Sequence, residues 1–193
     1  MSVLLQFVGE AGHGGALFVL PEDAVPDALA VKYCIEPAST MLRTAALRMQ
    51  NAEDAKDWAI ADVADATTMQ LAGAATSMAE AQRHEWLNAA ECVARLAGVD
   101  GAMLLTRDLR LRGLGAVVRL LSERESPLIV RALDAGALER LPYDVSGSGT
   151  RHRSATVFCE QNPRAAAFVV SQDGEMSAMR AIDGTVTVWR IKP

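Results

Sequence analysis

Apolar residues occur along the chain in three patterns, each predicting a different element. The run "GGALFVLP" at 14–21 is short, nearly continuous and bounded by Gly14, Gly15 and Pro21, the pattern of a strand buried on both faces. "ALAVKYCI" at 28–35 predicts a second strand. Between 38 and 97 the composition changes to Ala, Met, Glu and Asp at helical spacing, which predicts several helices. Within it Ser77 and Glu80 have the spacing of a capping box, Trp86, Ala90, Val93 and Ala97 form one stripe, and Gly98 supplies a stop.

The third pattern is alternation interrupted by turn residues. "GAMLLTRDLRLRGLGAVVRLL" at 101–121 predicts two strands joined at Arg107 and Asp108, with Gly113 and Gly115 loosening the second. After a mixed stretch at 122–145, "SGSGTRHRSATVF" at 146–158 predicts a flexible entry into a short helix that Pro163 ends. Asp173-Gly174 and Asp183-Gly184 then separate "AAAFVVS", "EMSAMR" and "TVTVWR", the signature of consecutive hairpins. Strands at both ends with helices between them predict an α/β or α+β fold, a mixed central sheet flanked by helices. No internal repeat divides the chain, so residues 1–193 are expected to form one domain.

Composition narrows the function classes. Half of the 193 residues are hydrophobic, enough for one well-filled core. A formal net charge of -5 argues against a chain that coats nucleic acid or an anionic membrane, while leaving room for a local basic pocket. Cys34, Cys92 and Cys159 are odd in number, far apart and set in apolar surroundings, which predicts reduced, buried thiols rather than disulfides or zinc. No apolar run reaches bilayer length, and the opening lacks a basic region and cleavage site, so the expectation is a cytoplasmic protein with no membrane segment. The abrupt apolar start at Val3, Leu4 and Leu5 suits a fragment of something longer. His13 is read as a turn residue and His84 as surface; Trp58, Trp86, Trp189 and the methionines of the helical part are assigned to packing.

Two segments carry candidate chemistry. "VDGAM" at 99–103 sets Asp100 between a helix stop and a buried strand, with Gly101 and Ala102 keeping bulk away. A carboxylate so placed can hold a divalent cation or accept a proton, and an ordinary Asp-Gly turn is the alternative. "GTRHRSA" at 149–155 offers backbone amides at a helix start, the Thr150 hydroxyl and the guanidiniums of Arg151 and Arg153, a set suited to a polyphosphate. The alternative there is a solvated basic turn.

Taken together, Asp100-Gly101-Ala102 followed by Gly149-Thr150-Arg151-His152-Arg153-Ser154-Ala155 resembles the diadenylate cyclase domains, of the membrane-tethered and DNA-integrity-scanning types, which join two ATP molecules into cyclic di-AMP. "AAAFVVSQDGEMSAMRAIDGTV" is similar to the family's strand ending in a serine and the hairpins after it, and residues 14–42 are similar to the stretch that opens the catalytic domain of membrane-tethered members. The resemblance implies a diadenylate cyclase-like fold and a nucleotidyltransferase using Mg²⁺ or Mn²⁺. Asp100 would serve the metal and the attacking hydroxyl, Arg151 and Arg153 the phosphates, and Gly149 and Thr150 the cradle. Gly101 and Ala102 would let the nucleotide approach, and Ser171 would add a phosphate hydrogen bond. His152 is left between contacting phosphate, contacting metal and orienting the loop. Because each ATP must attack the other, the active unit is expected to be a homodimer or higher oligomer with facing sites. Val99 and Gln172-Asp173 stand where tethered members have a histidine and paired glutamates, and residues 50–85 and 120–146 are long enough to be insertions carrying helices or a regulatory surface. The alternative function is a catalytically degenerate module of the same fold that senses a nucleotide or cyclic dinucleotide.

Overall fold

The computed structural model describes residues 1–12, 14–21, 25–119, 129–134, 136–145 and 147–191. Its elements are α1 (Ser2–Glu10), β1 (Gly15–Leu20), β2 (Leu29–Ser39), α2 (Met41–Ala61), α3 (Ala66–Arg95), β3 (Ala102–Thr106), β4 (Leu111–Val118), β5 (Ile129–Ala132), β6 (Arg140–Pro142), α4 (Thr150–Gln161), β7 (Ala166–Val170), β8 (Met176–Ile182) and β9 (Thr185–Ile191). The strands form one sheet in the order β2-β4-β3-β1-β7-β8-β9-β5-β6. β1 runs parallel to β3 and β5 parallel to β9, whereas the other pairs are antiparallel. This is the expected mixed sheet flanked by helices, an α+β fold.

The period of two along each strand separates two cores. Leu17 of β1 and Met103 and Leu105 of β3 face α1 and α3, where they meet Leu4, Val8, Ala90 and Val93. Ala16, Phe18 and Leu20 of β1 and Ala102 and Leu104 of β3 face the other way, toward Ala155, Phe158 and Cys159 of α4. Both strands are buried along their whole length, as continuous apolar runs require. The rings of Phe18 and Phe158 stack at 4.1 Å and 4°, pinning α4 over β1.

Several helical details differ from expectation. Ser77 and Glu80 lie inside the 30-residue α3, and the capping box is upstream at its start. There Asp65 Oδ1 accepts from the Thr67 and Thr68 amides at 2.9 and 2.8 Å, and Thr68 Oγ1 accepts from the Asp65 amide at 2.9 Å. Asp65→Ala should therefore lower the melting temperature by roughly 2–4 °C, read by circular dichroism. The stripe Trp86, Ala90, Val93 and Ala97 is buried as expected, and a short 3-10 turn, Leu96–Gly98, ends it. The opening segment, read only as apolar, is α1; the signal was the spacing of Leu4, Leu5 and Val8, its buried face.

Trp58 is 79% exposed, and Met69 and Met78 are also exposed, so these side chains are not core filler. The reason is leverage: α2 is buried only near its start, at Leu42 and Ala45, and beyond that α2 and α3 pack mainly on each other, away from the sheet. Cys34 and Cys92 are likewise exposed and Cys159 buried. His84 is exposed, as expected. His13 and much of 120–146 lie outside the described residues, and the described part of that stretch contributes the β5–β6 hairpin rather than helices. No helix among the described residues is long and apolar enough to cross a membrane.

Candidate functional site

Asp100 owes its position to two glycines. Gly101 has φ +103°, and a Cβ there would fall 2.7 Å from the carbonyl carbon of Gly115; Gly115, at φ +68°, would itself bring a Cβ to 2.9 Å from Lys32 Cβ. The chain entering β3 is thus pressed against β4 at a point where neither backbone can carry a side chain. The Gly115 read as loosening β4 is what admits this approach. Asp100 is left exposed just ahead of the first residue of β3, with Ala102 buried behind it.

Helix α4 begins beside it. Gly149 is the N-cap in extended conformation, with no side chain capping the helix, and the amides of His152 and Arg153 reach back to its carbonyl at 3.0 and 3.3 Å. The first N–H groups of the helix therefore face outward with the positive end of its dipole behind them. Residues 100–102 and 149–152 line a single cavity of about 730 Å³, across a separation of some fifty positions in sequence, a volume within the range of small-molecule sites.

His152 is half-buried, with Nε2 3.4 Å from Ser177 Oγ. Burial holds its pKa below the ordinary histidine value, against the opposing pull of Glu175 and Asp173 and with a smaller push from Arg190 in the same direction as burial. The imidazole is thereby biased toward its neutral form, able to donate from one nitrogen and accept at the other. Ser171 also lines the cavity, at the end of β7. Its hydroxyl is engaged within its own turn, bonded to the Asp173 carboxylate and, at 3.0 Å, to the Glu175 carbonyl. The Ser171 bond keeps the Asp173 carboxyl below the usual range.

Arg151 lines the cavity; Arg153 is exposed and is not among the lining residues. Residues two apart on a helix start on nearly opposite faces, about 160° apart, which directs the Arg151 and Arg153 side chains away from each other. Four polar lining residues were missed by the sequence reading: Tyr143, Glu175, Ser177 and Arg190. Ser177 and Arg190 are cross-strand partners on β8 and β9. The available signal was period two: Arg190 follows Val186 and Val188 on the face that packs beneath α4, and a charge at the end of such a row stands at the rim of a core.

No protein-family model matches the chain, and no curated protein matches it. Among solved structures it is similar to one described as a hypothetical membrane spanning protein from Bacillus cereus, with a TM-score of 0.51 and 14% identity. The match covers 100% of this chain and 61% of that one, so the chain spans about three fifths of that protein's length. At this identity the likeness is one of fold, and places the chain with α+β proteins of similar sheet and helix arrangement.

Proposed function

We propose that the cavity binds ATP and that two chains with facing sites condense two ATP molecules into cyclic di-AMP and two pyrophosphates. The observation that carries the reading is the meeting of Asp100 and the α4 start, two segments remote in sequence, in one cavity of nucleotide size. The α4 amides and Arg151 would hold the phosphates and offset the charge that accumulates on them. The 3′-hydroxyl oxygen of one ATP attacks the α-phosphorus of the other, its proton leaves, and the bond to pyrophosphate breaks; a second turn of the same step closes the ring. Asp100 orients the attacking hydroxyl and draws off its proton. The neutral imidazole of His152 would donate to a phosphate oxygen. Mg²⁺ generally takes one or two carboxylates together with substrate phosphates, and Asp100 at the cavity edge fits that donor set. Bound there, a divalent cation would polarise the phosphoryl oxygens.

Incubation with each nucleoside triphosphate and either Mg²⁺ or Mn²⁺, followed by mass analysis, tests the reading: cyclic di-AMP supports it. The engagement of Asp173 by Ser171, in the turn where the resembled family has paired glutamates, favours a second reading as a nucleotide sensor. Tight binding of ATP or cyclic di-AMP without turnover would select the sensor, and no nucleotide binding would overturn both.

Arg151→Ala should weaken ATP binding or slow turnover by about 1.5–3 kcal/mol, the scale of a charge-assisted contact. Arg153→Ala should do much less, because that side chain lies outside the cavity; calorimetric titration with ATP compares them. The symmetric product also requires pairing, since the residues in this cavity make one site per chain. Turnover per chain should fall on dilution, followed beside light scattering, and a species that stays monomeric while making the product would rule pairing out.

A further inference from the structure

We propose that Arg190 is the second phosphate-holding cation of this cavity, holding the triphosphate from the β8–β9 strands beside the α4 start. The inference rests on the ATP reading above and names a binding residue absent from both sequence motifs. A nucleoside triphosphate carries several negative charges, and with Arg153 turned out of the cavity the α4 wall supplies Arg151 as its guanidinium. Among the described residues, the other arginine lining the cavity is Arg190.

The fold aims it there. Val186 and Val188 are buried beneath α4, and period two carries Arg190 onto the same face of β9, one step past the edge of the core. Its cross-strand neighbour Ser177 is the residue that meets His152 at 3.4 Å, so strand pairing itself sets Arg190 beside the ring at the helix start. Arg190 Nη1 lies 3.7 Å from Glu175 Oε1, with both side chains more than half exposed. A single contact of that length and exposure is weak. A triphosphate brings more charge and the fork geometry that a guanidinium matches, so it displaces the carboxylate. Glu175 then acts as a placeholder that keeps Arg190 extended over the cavity and competes with the ligand for it.

Calorimetric binding of ATP, inorganic tripolyphosphate and adenosine to the wild type, Arg190→Gln, Arg190→Lys and Glu175→Gln tests this. Arg190→Gln should weaken ATP and tripolyphosphate roughly tenfold while adenosine changes by less than about twofold. Its ATP affinity should also depend less steeply on salt. Arg190→Lys should recover part of the loss, and Glu175→Gln should bind ATP more tightly than the wild type. A merely structural arginine would weaken adenosine and ATP alike, and that result, or unchanged ATP affinity in Arg190→Gln, overturns the inference while leaving ATP binding itself intact. A wild type that binds neither ATP nor tripolyphosphate overturns the inference and the proposed function together. Should Arg190→Gln fail to fold, Glu175→Gln decides, since weaker or unchanged ATP binding there contradicts the placeholder.

Discussion

Asp100→Asn is expected to leave the protein folded and to remove most of its product formation. The side chain is exposed just ahead of β3, and the tight packing at this point belongs to the backbone of Gly101 against Gly115. Asparagine preserves shape and turn preference, so the melting temperature should stay within about 2 °C. What is lost is the negative charge, and with it both the capacity to draw off a proton and a hard oxygen ligand for a divalent cation. Loss of a positioned acid–base group costs typically about 10²–10⁴-fold in rate. Because the amide cannot substitute in either role, turnover should fall at least that far, whereas ATP affinity without metal should change little, since on the proposed reading the helix start, Arg151 and Arg190 hold the phosphates. Single-turnover product formation and metal-free ATP binding, measured on one preparation, separate these effects. Full turnover with ordinary metal dependence would return Asp100 to the standing of a turn residue.

The largest effect on stability is expected from Phe158→Ala. Phe158 is fully buried and its ring lies flat against Phe18, the central residue of a strand that is itself buried throughout. Truncation removes the stacked pair and leaves a cavity between α4 and the sheet, at a cost of roughly 3–5 kcal/mol. The urea midpoint should fall accordingly with little change in slope. The substitution also reports on function, because Phe158 fixes the pose of the helix whose first turn lines the cavity. Under conditions where the variant is still folded, ATP should bind more weakly than to the wild type although Phe158 is two turns from Arg151. A loss of stability with ATP affinity unchanged would show that the helix start is held in place by its own loop instead.

The elements legible in the sequence were those with a strong local signature. The two Asp-Gly turns are hairpins as expected, with Asp183 and Gly184 both at positive φ as a tight turn demands. "GGALFVLP" is a strand buried on both faces, and the stripe on α3 faces the core. Less legible were features set by where an element ends relative to its neighbours. Nothing in the spacing of Trp58, Met69 and Met78 distinguishes a helix lying on a sheet from one that projects past it, because an amphipathic pattern records that a face is apolar and not how far the covering layer extends. The misplaced capping box has a similar cause: Ser77 and Glu80 have the right spacing, yet α3 begins eleven residues earlier, and a serine inside an established helix has no unpaired amide to cap.

For the site, the division falls between residue type and direction. The chain by itself determined which groups could do chemistry, a carboxylate flanked by small residues and a glycine-led basic helix start, because these depend on side-chain chemistry and on local backbone freedom. Tertiary structure alone decided that the two share one cavity, that Arg151 lines it and Arg153 does not, and that Ser177 and Arg190 join them from β8 and β9. The physical reason is that proximity between remote segments is set by strand order and register. β3, β1, β7, β8 and β9 lie side by side only after the whole sheet has formed, and the direction of each side chain then follows from the pleat and the helical turn.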